Sequence, residues 1–395
     1  MPPRITTFGP LDAGSLEQLE RCLEPADAVA GVLCADHHLG YSMPIGGVIA
    51  YREHVSPSGV GYDIGCGNMA VETPLHSREI RDDVPCLMNE ITRRISFGVG
   101  RTAKACVDDP VLDEIARSEI RYVRSLAKLA ADQLGTVGAG NHYIDIFAGD
   151  DDRVWVGVHF GSRGFGHKVA TRYLELGGGK EGMHAPACLL SERSTLGQEY
   201  IEAMTLAGAY ANAGRRAVVE EVLTILGSEA TTTVHNHHNF AWHEHIPGVT
   251  EKVWVVRKGA TPNSPGQSSF VGGSMGSSSY ILTGQETEEN RSALYSTIHG
   301  AGRAMSRTEA AGKYRGRGKK RRQLRPGRID WDATQRDLAG RSIVLRGGAA
   351  DEAPGAYKQI DAVLSHHAAS VTVDRVLKPL GVAMAGTGTV DPYRD

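Results

Sequence analysis

The chain has 395 residues, with 43 Lys plus Arg against 46 Asp plus Glu and a formal net charge of −3. A hydrophobic share of 41% and a charged share of 23% are those of a globular protein and exclude a largely disordered chain. The 48 glycines fall in short clusters without a three-residue period, which excludes collagen and points to glycine-shaped loops, while the near-neutral charge confines any nucleic-acid contact to a local patch.

In chain order, residues 15–24 (SLEQLERCLE) place leucines at helical spacing and predict a short helix. Apolar residues then recur at helical spacing over 110–134, predicting one long helix ended by Gly135. A strand is expected at 153–159 (RVWVGVH). A second long helix is expected over about 198–226, opened by the box-like Thr195-x-x-Gln198. Further strands are expected at 252–257, 279–282 and 343–346. Strands and helices do not alternate regularly, so the pattern favours a mixed α+β layout over a doubly wound parallel sheet. With no repeat and no linker readable, one large domain over 1–395 is expected, with 387–395 as a short tail. Residues 313–328 (KYRGRGKKRRQLRPGR) carry nine basic residues in sixteen. They read either as a solvated loop or as a phosphate-contacting arm.

Six cysteines (Cys22, Cys34, Cys66, Cys86, Cys106, Cys188) contain no C-x-x-C pair, so neither a disulfide framework nor a zinc finger is supported. The first residues lack the apolar core of a signal peptide, and no run approaches the ~20 apolar residues of a membrane span. A cytoplasmic protein without membrane contact is expected.

Sixteen histidines are many, and several lie beside glycine, asparagine or acid in segments without helical or strand period: ADHHLG (35–40), GNH (140–142), HFG (159–161), HNHHN (235–239) and HGAGR (299–303). Glycine allows close backbone approach to a ligand, and His, Cys and Asp are ligands of transition metals. The segment GTVGAG (135–140) follows a helix and has the wrong spacing for a dinucleotide loop. No P-loop and no K-x-D-G stretch is present.

The segments DIGCGNM (63–69), GTVGAGNHYID (135–145), HFGSRGFGH (159–167), HHN (237–239), RKGA (257–260), GGSMGSSSY (272–280), HGAGRAMSR (299–307) and AYKQID (356–361) follow one another in a single order. Together they resemble the RtcB family of RNA-splicing ligases over about residues 33–386. The resemblance implies an RtcB-like α+β fold around a metal and nucleotide cleft. It also implies a GTP-dependent ligase joining RNA 3′-phosphate or 2′,3′-cyclic phosphate ends to 5′-hydroxyl ends in tRNA splicing or RNA repair. It implies two Mn²⁺ ions: Asp63, Cys66 and His142 for one, Cys66, His159 and His238 for the other. By ligand type alone, thiolate and imidazole favour zinc. His299 matches the nucleophile that becomes guanylylated, on the way to an RNA-3′-pp-5′-G intermediate. The implied nucleotide pocket comprises Asn141, His142, Asp145, His238, Asn239, Gly272, Gly273, Ser274, Met275, Ser279, His299, Gly300, Ala301 and Gly302. Arg163, Arg303, Lys319, Lys320, Arg321 and Arg322 are candidate phosphate or RNA contacts, and the two former serve equally as structural ion-pair partners. An archease-type activator is a candidate partner, and a monomer is the default.

The chain departs from the family pattern at several positions. Asp145 stands where the family usually has Glu, Gly272 where it has Pro, and Val256 where it has His or Thr. Ala385, before Gly386, stands where the family has a nucleotide-contacting Lys. These departures imply weaker or less guanine-selective nucleotide binding. They also keep two alternatives open: an enzyme that caps or processes terminal phosphates without sealing, and a catalytically impaired RNA-binding homologue.

Overall fold

The computed structural model describes residues 3–180, 182–315 and 322–386. The basic candidates Lys319, Lys320 and Arg321 lie outside the described residues, as does the Arg322 side chain. Two sheets dominate. The smaller has the strand order Arg4–Thr7, Ala28–His38, Ile45–Tyr51, Val253–Lys258, Asn239–Glu244. Its first pair is parallel and the others are antiparallel. The larger runs Thr232–His237, Gly67–His76, Arg153–Phe160, Tyr143–Gly149, Val371–Gly386, Ser279–Gly284, Ser268–Val271, with Val344–Gly348 parallel to one part of Val371–Gly386.

The larger sheet curls until its two ends meet. The Phe270 amide donates to Asn236 Oδ1 at 2.9 Å, and Asn68 Nδ2 donates to the Phe270 carbonyl at 2.9 Å. Two asparagine side chains thus stitch the closing seam where the backbone ladder stops. The inside is filled by Phe147, Trp155, Phe270, Ile281 and Leu377. Outside, Val218, Val222 and Leu223 pack on Val71, Ile144 and Val158. That face comes from the helix Thr195–Leu226, which is buried along much of its length.

The mixed α+β expectation holds, and the four strands expected from sequence form with shifts of a residue or two at their ends. Two local expectations need correction. The predicted helix at 110–134 is three: Pro110–Arg117, Arg121–Ser125 and Ala127–Gln133. Ser118 takes an extended ψ of 135°, and its hydroxyl accepts from the Ile120 amide at 3.2 Å, so a serine turn competes successfully with the helix. The long helix starts at Thr195, capped by Ser194, whose hydroxyl accepts from Gly197 N at 3.0 Å. The box read from Thr195 and Gln198 is therefore one residue out of phase. Gly227, in the left-handed region at φ 62°, ends the helix.

A bound-metal-like cluster beside a cavity

Four neighbouring strands of the curled sheet bring their chemistry to one end. Cys66 precedes Gly67–His76, His142 precedes Tyr143–Gly149, His159 is the penultimate residue of Arg153–Phe160, and His238 follows Thr232–His237. Because the strands run antiparallel, two starts and two ends fall on the same rim. The side chains converge. Cys66 Sγ lies 3.3 Å from His159 Nε2 and 3.7 Å from His142 Nε2, and His142 Nε2 lies 3.1 Å from Asp63 Oδ2. The His159 and His238 rings are 5.1 Å apart. Two groups have metal-ligand geometry, Asp63–Cys66–His142 and Cys66–His159–His238, sharing the thiol.

The protonation chemistry fits a metal centre. Burial pushes Asp63 upward, but the hydrogen bond and charge of His142, with the charge of Arg163, outweigh it and leave the carboxyl at about 2. Burial, then the charge of neighbouring histidines, drives His159 and His238 far down, so both imidazoles are neutral and can ligate. His238 Nδ1 is buried without a hydrogen-bond partner among the described residues, an orphan lone pair that a metal would use. Burial and the nearby Asp63 charge raise the Cys66 thiol, so metal loading must expel a proton there. His142 Nδ1 lies 3.1 Å from both the Val137 carbonyl and Arg163 Nη1. These contacts are exclusive: only donation to Val137 leaves the Nε2 lone pair aimed at Asp63 and Cys66.

His299 sits next to this cluster, its ring 5.0 Å from that of His238. Its Nδ1 lies 2.6 Å from Asp36 Oδ2, and its amide donates to the same oxygen at 2.9 Å. Asp36 is fully buried. Burial raises its carboxyl, but the charge and hydrogen bonds of His299 more than reverse this and hold it below the usual range. Asp36 reaches this point because the ladder between Ala28–His38 and Ile45–Tyr51 breaks between Leu33 and His38. At Gly302 (φ 71°) an added Cβ would sit 2.2 Å from the Asp36 carbonyl oxygen, so only glycine lets the HGAG turn lie against that segment.

A cavity opens from His299 and His159. Of the residues expected at a nucleotide, Asn141, Asp145, Gly272, Gly273, Ser274, Met275, His299, Ala301 and Gly302 line it, and so does Arg303, a candidate phosphate or RNA contact. Gly300 instead bridges to Gly272 through the backbone, and Ser279 Oγ accepts from Gly273 N at 3.0 Å. His142 and Asn239 face a second, larger cleft, as does Arg163. Asn239 Oδ1 also accepts from Gly259 N at 2.7 Å. Asn141 and Arg307 line both spaces and mark their junction. Arg303 faces the first cavity, but its donors go to Tyr357 Oη at 3.2 Å, the Asp351 carbonyl at 2.8 Å and the Met305 carbonyl at 3.1 Å.

Tyr143, Arg307, Glu352 and Tyr357 belong to these walls, and Asp36 stands behind His299, without having been singled out in the sequence. Asp36 carried a signal, lying in one of the glycine-flanked histidine segments, and Tyr143, Arg307 and Tyr357 lay inside the motif segments 135–145, 299–307 and 356–361; Glu352 carried none. Tyr143 stands against Gly272, where a Cβ would meet its hydroxyl at 2.0 Å. Asp145 is buried with Oδ1 unpartnered among the described residues, and burial raises its carboxyl well above the ordinary range.

The comparisons agree with this architecture. The family model described as tRNA-splicing ligase RtcB matches residues 25–130 and 115–385. The chain is similar to the tRNA-splicing ligase RtcB of Thermococcus kodakarensis, at 30% identity over 92% of this chain and 91% of that protein. It is similar to the RNA-splicing ligase RtcB of Escherichia coli at 32% over 87% of each chain. Against the tRNA-splicing ligase RtcB of Archaeoglobus fulgidus the identity is 32%, over 91% of this chain and 88% of the relative. A match that spans nearly the whole chain, with the ligand segments converging on one rim, means that the chain belongs to the RtcB family.

Proposed function

We propose that this chain is an RNA ligase that joins 3′-phosphate or 2′,3′-cyclic phosphate ends to 5′-hydroxyl ends, using GTP and two Mn²⁺ ions. The carrying observation is the histidine–carboxylate pair His299–Asp36 placed against the double ligand cluster at the mouth of a cavity. When bound, two divalent ions polarise phosphate oxygens and neutralise developing charge. Asp63, Cys66 and His142 would hold one, and Cys66, His159 and His238 the other. The sulfur and nitrogen donors suit zinc at least as well, so the choice of manganese rests on family membership.

With the Asp36 carboxylate 2.6 Å from Nδ1, its charge favours the His299 proton on that nitrogen and leaves Nε2 a lone pair. Nε2 attacks the α-phosphorus of GTP; the N–P bond forms as the bond to pyrophosphate breaks. An RNA 3′-phosphate oxygen then takes GMP from Nε2. Finally the 5′-hydroxyl attacks the activated phosphate, losing its proton, and GMP leaves. The nucleotide occupies the cavity beside His299, and the RNA end approaches through the second cleft, past Arg163 and Lys168. The two substrates meet where Asn141 and Arg307 line both spaces.

Base selection is weakened in this reading. Burial raises the Asp145 carboxyl and so favours its protonated form, which as both donor and acceptor does not demand guanine's paired N–H donors as a carboxylate does. Val382 and Met384, not a lysine, come from the last strand to the cavity wall. Incubating the protein with α-labelled GTP or ATP and Mn²⁺, beside His299→Ala, tests both points. A covalent label from GTP, with a smaller excess over ATP than in a relative carrying Glu and Lys, is expected, and no label in the variant. Label surviving in His299→Ala overturns the histidine step.

A further inference from the structure

Arg215 is fully buried in the helix Thr195–Leu226, and no carboxylate pairs with it among the described residues. An unpaired buried guanidinium is costly unless its N–H groups are all well used. Its two terminal nitrogens make four contacts, while Nε is buried without a partner among the described residues. Nη1 donates to the carbonyls of Gly65, at 3.0 Å, and Phe160. Nη2 lies 2.9 Å from His235 Nε2 and 2.9 Å from His237 Nδ1. A guanidinium can only donate, so His235 Nε2 turns a lone pair to it, and His237 Nδ1, which also lies 2.9 Å from the Gly65 carbonyl, accepts from the guanidinium in the Nε2–H tautomer.

The sequence positions of three of these partners form a pattern. Gly65 precedes Cys66, Phe160 follows His159, and His237 precedes His238. One side chain therefore grips the immediate chain neighbour of every member of the Cys66–His159–His238 group. It makes no such contact next to Asp63 on the N-terminal side, or with either neighbour of His142, among its recorded bonds. Backbone bonds already tie these ligands, His159 within the ladder and the His238 amide donating to the Cys66 carbonyl at 2.8 Å, and the arginine adds side-chain bonds that cross all three strands. The helix thus supplies a further brace from behind.

We propose that Arg215 is a positioning residue for one of the two metal sites: it sets the spacing of Cys66, His159 and His238 and leaves the Asp63–Cys66–His142 site largely independent. The proposal rests on the reading that the cluster binds two divalent ions. Loss of an outer partner of a metal ligand commonly costs ten- to a hundredfold in affinity.

The test is a Co²⁺ titration of the full-length protein, wild type beside Arg215→Lys and Arg215→Met, following thiolate-to-cobalt absorption and bound metal per chain, with thermal unfolding alongside. The wild type should take up two ions. Both variants should bind the first ion as the wild type does and the second about ten- to a hundredfold more weakly, with the lysine variant less affected. Should the arginine variants fail to fold, His235→Phe removes one anchor of the guanidinium without touching a ligand's neighbour, and the same site should weaken by a smaller factor. Two ions bound with wild-type affinity in folded variants overturn the proposal, as does equal weakening of both sites. A wild type that takes up no cobalt would instead remove the two-metal reading beneath it.

Discussion

At the scale of single residues, the pair formed by His299 and Asp36 decides what the site can do. A free imidazole shares its proton between two nitrogens, whereas a buried carboxylate 2.6 Å from Nδ1 selects one tautomer and fixes the ring. Asp36→Asn keeps the shape and an oxygen for the His299 amide but removes the charge that prefers the Nδ1–H form. The rate of histidine labelling by GTP should fall on the order of 10²- to 10⁴-fold, by analogy with other carboxylate-oriented histidines. An unchanged initial rate in a folded variant would show that the carboxylate is only a packing partner. The same logic explains why Asp36 was hard to see. Its segment advertised histidines, and which of its side chains faces His299 depends on a ladder break between Leu33 and His38.

Elements explain the acid at position 145. The strand Tyr143–Gly149 is central, flanked by Arg153–Phe160 and Val371–Gly386, so Asp145 faces Gly157 and Val382 with little water. Burial raises its folded pKa above the unfolded value. For an acid shifted upward, the unfolded chain ionises first, so stability falls as pH rises from the unfolded value near 3.8 toward the folded one. Asp145→Asn removes that loss. Its melting temperature should match the wild type near pH 4 and exceed it by a margin that widens toward neutral pH. Parallel curves across pH 4 to 8 in scanning fluorimetry would mean that Asp145 ionises freely in the fold. Elements also account for the one long helix that the sequence promised and the chain declined to form. Apolar spacing over 110–134 is satisfied by three short helices because the Ser118 hydroxyl caps a turn, and period alone does not register that competition.

For the whole molecule, the rim is a meeting of otherwise separate strands. Three imidazoles, a thiol and a carboxylate are held close together there. Anything that binds this arrangement and not the unfolded chain stabilises the fold by mass action, by about 2.7 kcal/mol at a hundredfold excess over its dissociation constant. Mn²⁺ or Co²⁺ should therefore raise the melting temperature by a few degrees, and chelation should reverse it. Cys66→Ser, which alters the ligand common to both groups, should blunt most of that shift. A melting temperature indifferent to metal in the wild type would count against the centre. Among the described residues no helix is long and apolar enough to cross a membrane.

The sequence by itself determined the chemistry on offer. Cysteine, histidine and aspartate between glycines marked candidate metal-binding segments, because reactive side-chain types and tight turns are local properties, while the candidate ligand set and nucleophile came from the resemblance carried by the ordered motifs. It also determined the mixed α+β class, because strand and helix periods are local too. What only the tertiary structure decided was proximity across long separations. Asp36 meets His299 across 263 residues, and Arg215 reaches Gly65 across 150. It also decided which candidate faces which cavity, parting His142, Arg163 and Asn239 from Asp145 and the 272–275 turn. The physical reason is that a curled sheet brings strand ends together according to pairing order and register, and neither is written in any single segment.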